Sequence, residues 1–98
     1  MPSVLIVEDD GVIARSMSAH LRHAGLEVEW AEDGDRGLRK LRFERPDVCV
    51  VDLMLPGLDG WALTERARRE GITTPIIVPS STSGGQAKAV TELFAIFE

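Results

Sequence analysis

Residues 48–52 read Val48-Cys49-Val50-Val51-Asp52, an apolar run that ends in a carboxylate. A second apolar run, Val4-Leu5-Ile6-Val7, is followed by Glu8-Asp9-Asp10. Continuous apolar runs of this kind are typical of strands that are buried on both faces of a parallel sheet. Carboxylates at the ends of two buried strands are costly unless a cation or hydrogen-bond donors compensate for them. The two strand ends therefore indicate a functional site.

The pattern around these runs predicts an open, doubly wound α/β fold of the flavodoxin-like kind. Strands are expected at 3–7, 27–31, 48–52 and 75–78, and a helix is expected after each of the first three. Right-handed crossovers then favour the strand order 2-1-3-4, with strands 1 and 3 adjacent where the winding reverses.

This strand order predicts that three carboxylates meet in one crevice. Glu8 and Asp9 follow strand 1, and Asp52 ends strand 3. Like charges at such short range raise each other's pKa unless a cation joins them. Mg²⁺ takes oxygen ligands and keeps several waters, so it suits a partly built carboxylate cage.

Composition and length limit the possible functions. The chain has 98 residues, which suits one small domain with a modest core. Its net charge of −5 argues against nucleic acid as a direct partner. The single cysteine, Cys49, lies within an apolar strand and is expected to be a buried free thiol. No signal peptide or membrane-spanning run is visible, so a cytoplasmic protein without a membrane partner is expected.

Three motifs resemble the receiver domain of two-component response regulators, which are CheY-like proteins. They are Leu5-Ile6-Val7-Glu8-Asp9-Asp10, Asp52-Leu53-Met54-Leu55-Pro56-Gly57-Leu58-Asp59-Gly60 and Pro75-Ile76-Ile77-Val78-Pro79-Ser80. Their order and separations make the resemblance specific, and it covers residues 2–81. A receiver-like domain is accordingly predicted over residues 1–81.

The resemblance implies a role for each of five residues. Mg²⁺ would be held by Glu8, Asp9, Asp52 and the backbone carbonyl of Met54. Asp52 would accept a phosphoryl group from a sensor histidine kinase, and the hydroxyl of Ser80 would bond the phosphate and move with it. A metal-bridged carboxylate can act as a nucleophile toward phosphorus, so the chemistry supports these roles. The chain would then be a phosphoacceptor rather than an enzyme, with residual autophosphatase activity left open.

The sequence departs from the family pattern after Val78. The family's lysine at the end of a fifth strand is matched by neither Lys40 nor Lys88, and the aromatic switch residue of that strand is absent. Pro79 stands where the family usually has an aliphatic residue, which agrees with strand 4 lying at a sheet edge. Residues 82–98 are interpreted as an atypical loop and amphipathic helix, so the fifth strand and last helix are expected to be missing or replaced.

Three functional classes remain open. The favoured class is a signalling module whose phosphorylation shifts a conformational equilibrium or an association. The alternative is a truncated or engineered receiver fragment that serves as a non-phosphorylated structural or oligomerising unit. The third class is a hydrolase with an aspartyl nucleophile, but such an enzyme would have a second acid where this chain has Met54.

Other residues also carry alternatives. Ser80 is either the switch hydroxyl or part of a serine-rich loop, and Asp10 and Asp59 are interpreted as helix caps. Trp30 and Trp61 are interpreted as packing residues. A helical stripe near the C-terminus is either core or a contact with a second copy of the chain; it comprises Val90, Leu93, Phe94 and Phe97.

The departure from the family also predicts association. A sheet without its fifth strand and last helix would leave Ile13 and Met17 partly bare and one strand edge unpaired. Bare apolar surface and unpaired edges favour contact with another chain. A homodimer formed partly through the C-terminal stripe is therefore predicted.

Overall fold

The computed structural model describes residues 2–52, 55 and 58–78, which contain a four-stranded parallel sheet and three helices. The strands are β1 (Ser3–Val7), β2 (Glu27–Ala31), β3 (Val48–Val51) and β4 (Ile76–Ile77), and the helices are α1 (Gly11–His23), α2 (Gly34–Glu44) and α3 (Gly60–Arg69). The sheet order is β2-β1-β3-β4. The predicted flavodoxin-like fold and its strand order are confirmed.

Side chains along each strand point alternately to opposite faces of the sheet, and helices pack against both faces. One face packs against α1 through a cluster that includes Val4, Ile6, Val48 and Val50 of the strands with Met17 and Leu21 of the helix. The other face packs against α2 and α3 through a cluster that includes Leu5, Val7, Cys49 and Val51 with Leu38, Leu41 and Leu63. Burial raises the pKa of the Cys49 thiol, which fits the buried free thiol predicted from the sequence.

Each helix begins after an aspartate that caps it. The Asp10 side chain accepts from two backbone amides of α1, and Asp33 and Asp59 each accept from one amide of α2 and α3, respectively. Such caps satisfy amides that have no partner within the helix. Gly25 and Gly71 follow α1 and α3 with φ angles of 92° and 81°, a conformation that glycine adopts without strain. The predicted caps at Asp10 and Asp59 are therefore confirmed.

The length of β4 and the burial of Met17 differ from the expectations. β4 comprises only Ile76 and Ile77, because only these residues pair in register with β3, although the Pro75 carbonyl also accepts from the Cys49 amide at 2.9 Å. The expectation that Met17 is partly bare is wrong, because Met17 packs into the α1-side core and only 7% of it is exposed.

Several predictions fall outside the described residues. Met54, Ser80, the predicted boundary near residue 81 and the C-terminal stripe all lie there. Within the described part of the chain, no helix is long and apolar enough to cross a bilayer.

Candidate metal centre

The register of the sheet brings two carboxylate-bearing residues to the same edge. Val7 pairs with Val51 at the ends of β1 and β3, so Glu8 and Asp52 follow at the same level. The Asp52 amide donates to the Val7 carbonyl at 2.9 Å, and the Glu8 amide donates to the Ala31 carbonyl at 3.0 Å. Backbone hydrogen bonds of the sheet therefore fix the starting points of both residues.

The predicted convergence of carboxylates is present. Glu8, Asp9 and Asp52 each offer a carboxylate oxygen, and these oxygens lie within 4.8 Å of one another. Glu8 is buried, with 5% of the residue exposed, whereas Asp52 is half-buried and Asp9 is exposed. The cluster thus extends from the buried Glu8 to the exposed Asp9, so a ligand can reach it from solvent.

Burial and charge act together on Glu8. Burial raises its pKa from 4.5 to about 7, and the negative charge and hydrogen bonding of Asp52 add to the effect. The Asp10 amide donates to Glu8 Oε1 at 3.1 Å and acts in the opposite direction. Ionising Glu8 in the metal-free protein is therefore unfavourable, and a bound cation would make the ionised form more favourable.

The donor set fits a hard divalent cation. All three side chains offer carboxylate oxygens, and neither His nor Cys belongs to the cluster. Mg²⁺ is commonly held by one or two carboxylates with water in the remaining positions, so three carboxylates at an open crevice suffice. The predicted fourth ligand, the Met54 carbonyl, and the predicted switch hydroxyl of Ser80 lie outside the described residues.

Lys40 does not serve this site. Its ammonium lies 3.2 Å from a carboxylate oxygen of Glu29 in β2 and 3.3 Å from one of Glu44 in α2. Because α2 starts near the carboxyl edge of the sheet and runs back from it, Lys40 lies on the part of the helix that leads away from the cluster. This placement agrees with the sequence-based statement that Lys40 does not match the family's lysine.

Trp30 makes a contact that the sequence did not predict. Its indole Nε1 donates to the backbone carbonyl of Glu8 at 2.7 Å, and 36% of Trp30 is exposed. The contact depends on the register of β1 and β2, in which Trp30 pairs with Ile6, two residues before Glu8. The packing interpretation of Trp61 is wrong, since 65% of that residue is exposed.

Comparison with known proteins gives a consistent result. The family model of the response regulator receiver domain matches residues 4–95. The transcriptional regulatory protein AfsQ1 of Streptomyces coelicolor is 45% identical over 69 residues, which is 70% of this chain and 31% of that protein. The chain thus spans about a third of the length of this relative.

Solved structures agree with the sequence comparisons. The chemotaxis response regulator CheY4 of Vibrio cholerae has a TM-score of 0.77 and 32% identity, covering 92% of this chain and 80% of that one. The receiver domain of the sensor histidine kinase PA1611 from Pseudomonas aeruginosa, determined with magnesium coordinated in its active-site cleft, has a TM-score of 0.77 and 32% identity over 84% of this chain and 69% of that one.

The family match covers most of the chain, and the fold, the strand order and the acidic crevice agree with it. The chain belongs to the response regulator receiver domain family.

Proposed function

We propose that this receiver domain binds Mg²⁺ and accepts a phosphoryl group on Asp52 from a sensor histidine kinase. The observation that carries the proposal is the convergence of Glu8, Asp9 and Asp52 at the carboxyl edge of the sheet. The magnesium in the cleft of the Pseudomonas aeruginosa receiver domain supports the choice of ion.

The chemistry requires Asp52 to be ionised and reachable from solvent. A carboxylate oxygen of Asp52 attacks phosphorus, the bond between phosphorus and the kinase histidine breaks, and the electron pair goes to the ring nitrogen. Glu8 and Asp9 would hold Mg²⁺ together with Asp52 and the Met54 carbonyl. When bound, Mg²⁺ neutralises charge on the transferred oxygens. Asp52 is half-buried, which suits a nucleophile fixed in place yet open to a donor.

The proposed output is a shift between two conformations or association states. The hydroxyl of Ser80 would donate to the phosphoryl oxygens, and the added charge would bias an existing equilibrium. We assign no direct contact with nucleic acid to this chain, because its net charge is −5. A cytoplasmic location forms part of the same proposal, since histidine kinases hand phosphate to receivers there.

The intact mass of the protein after incubation with acetyl phosphate tests the proposal. We expect one phosphoryl adduct that requires Mg²⁺ and disappears in Asp52→Asn. The matched control is Asp35→Asn, because Asp35 is an exposed aspartate in the first turn of α2. We expect that variant to be labelled as well as the wild type.

The extent of labelling carries further information. We expect a small and short-lived adduct, because neither Lys40, which pairs with Glu29 and Glu44, nor Lys88 matches the family's lysine in sequence position. A cation against the phosphoryl oxygens normally offsets their charge. Rapid, stoichiometric labelling would show that another group supplies this charge. Complete absence of an adduct on the folded wild type, or an adduct that survives Asp52→Asn, would contradict the proposal and leave the non-phosphorylated structural unit as the better description.

A further inference from the structure

Strand β2 holds both backbone polar groups of Glu8. The Glu8 amide donates to the Ala31 carbonyl at 3.0 Å, and the Glu8 carbonyl accepts from the Trp30 indole at 2.7 Å. The first bond continues the parallel ladder between β1 and β2, whereas the second comes from a side chain. Two consecutive residues of β2, Trp30 and Ala31, therefore hold the backbone of Glu8.

The bond from Trp30 acts on the peptide unit between Glu8 and Asp9. A peptide unit is planar, so fixing the direction of its carbonyl also fixes the direction of the following amide and Cα. The Glu8 carbonyl and the Asp9 Cα belong to this one unit. The hydrogen bond from the Trp30 indole therefore restrains the orientation of the peptide plane that joins Glu8 to Asp9.

The rest of this loop is held by other contacts. The Asp10 amide donates to Glu8 Oε1 at 3.1 Å, and the Asp10 side chain caps α1. Gly11 borders the indole, since a Cβ at Gly11 would lie 3.6 Å from the Trp30 ring. Between the strand end and the cap, the carbonyl of the Glu8–Asp9 peptide accepts its hydrogen bond from the Trp30 indole.

We propose that Trp30 is a positioning residue for the metal centre, which it orients by holding the Glu8 carbonyl. This inference rests on the proposed Mg²⁺ site and deepens it. A preorganised pair of ligands binds a cation more tightly than a mobile pair, because less conformational entropy is lost on binding. Removal of the indole donor should therefore weaken Mg²⁺ binding without removing any ligand.

Titration of the ¹⁵N-labelled protein with Mg²⁺, followed by amide chemical shifts at constant pH and ionic strength, tests this role. We expect Trp30→Phe, which keeps an aromatic ring and loses the donor, to bind Mg²⁺ about twofold to tenfold more weakly, the range expected for one hydrogen bond. The matched control, Trp61→Phe, makes the same change at an indole that is 65% exposed and should leave the dissociation constant unchanged.

The titration separates positioning from simple stabilisation. The chemical shifts report only on folded molecules, so a purely structural role of Trp30 would lower the urea midpoint while the folded protein kept its affinity. Equal affinities of wild type and Trp30→Phe would overturn the inference while the proposed Mg²⁺ site stood. A wild type that binds no Mg²⁺ would overturn the proposed function and this inference with it.

A second measurement uses the metal-free wild type and does not depend on any variant folding. The indole N–H of Trp30 donates a hydrogen bond, so we expect it to exchange with water several-fold more slowly than the exposed indole N–H of Trp61. Equal exchange rates for the two indoles would show that the Glu8 carbonyl is not held, which would overturn the inference.

Discussion

The pKa of Glu8 depends on its surroundings in the acidic crevice. The residue is 5% exposed and its pKa is raised to about 7, first by burial and then by Asp52. Its carboxylate is thus poised to ionise near neutral pH, and a divalent cation would favour the ionised form. At the residue scale, protonation of Glu8 and metal binding should compete.

The pH dependence of stability follows from this shift. Between pH 4.5 and 7 the folded protein holds more of the Glu8 proton than the unfolded chain, so the contribution of Glu8 to stability falls as pH rises through that range. We expect the unfolding free energy of wild type relative to Glu8→Gln to decrease between pH 5 and pH 8 in EDTA, by at most about 3 kcal/mol. Urea denaturation at each pH measures it.

Added Mg²⁺ should reverse this trend, because the cation binds the ionised crevice. The stabilisation of the wild type by Mg²⁺ is expected to grow as pH rises from 5 to 8. If the unfolding free energies of the wild type and Glu8→Gln in EDTA differed by the same amount at every pH, the pKa of Glu8 in the folded protein would be ordinary.

At the element scale, the three helices share one beginning. Each starts with an aspartate cap followed by glycine, at Asp10-Gly11, Asp33-Gly34 and Asp59-Gly60. The surroundings differ, however. A Cβ at Gly34 would overlap the backbone carbonyl of Leu58, and one at Gly60 would lie 2.9 Å from the Asp52 carbonyl oxygen. Glycine thus allows the starts of α2 and α3 to approach the segments that follow β3.

Alanine at two of these positions should separate cap chemistry from packing. We expect Gly34→Ala to lower the unfolding free energy by about 1–3 kcal/mol, because a backbone carbonyl cannot move aside as a flexible side chain can. Gly11→Ala is the matched control at the first position of α1, where the nearest contact of 3.6 Å is ordinary, and should be nearly neutral or slightly stabilising. Urea denaturation measures both; equal losses would refute the packing argument.

At the scale of the whole molecule, the sheet joins the site to the rest of the domain. The central strands β1 and β3 are buried on both faces and carry Glu8 and Asp52 at their ends. At the outer surface, Arg42 of α2 donates to both oxygens of Glu70 at 2.6 and 2.7 Å, which ties α2 to the end of α3 and lowers the pKa of Glu70. Among the described residues, β4 pairs with β3 alone and forms one edge of the sheet.

This arrangement keeps the predicted homodimer open to test. The apolar stripe of Val90, Leu93, Phe94 and Phe97 lies outside the described residues, and its spacing remains the reason to expect a contact between copies. We expect sedimentation equilibrium to show a dimer that is lost in the double variant Phe94→Asp, Phe97→Asp. Phe43→Asp is the control, since Phe43 is 74% exposed on α2.

The association state of the wild type and its variants decides whether the homodimer prediction holds. A monomeric wild type at tens of micromolar, or a double variant that dimerises as well as the wild type, would contradict this prediction. Loss of the dimer in Phe43→Asp as well would place the contact elsewhere on the surface.

The sequence by itself determined the features that depend on local order along the chain. Apolar runs predicted the central strands, aspartates predicted the caps of α1 and α3, and the right-handed crossover rule turned the element order into the sheet order β2-β1-β3-β4. The meeting of Glu8, Asp9 and Asp52 followed from that order, because neighbouring parallel strands end at the same edge.

Only the tertiary structure decided the features that depend on distant residues coming into contact. The indole of Trp30 reaches a carbonyl 22 residues away, and Met17 is buried among side chains contributed by several elements. The same Asp-Gly pair opens α1 and α2, yet only Gly34 meets a backbone carbonyl. Periodicity identifies the face on which a residue lies, whereas distances, burial and the resulting pKa depend on how the elements pack in three dimensions.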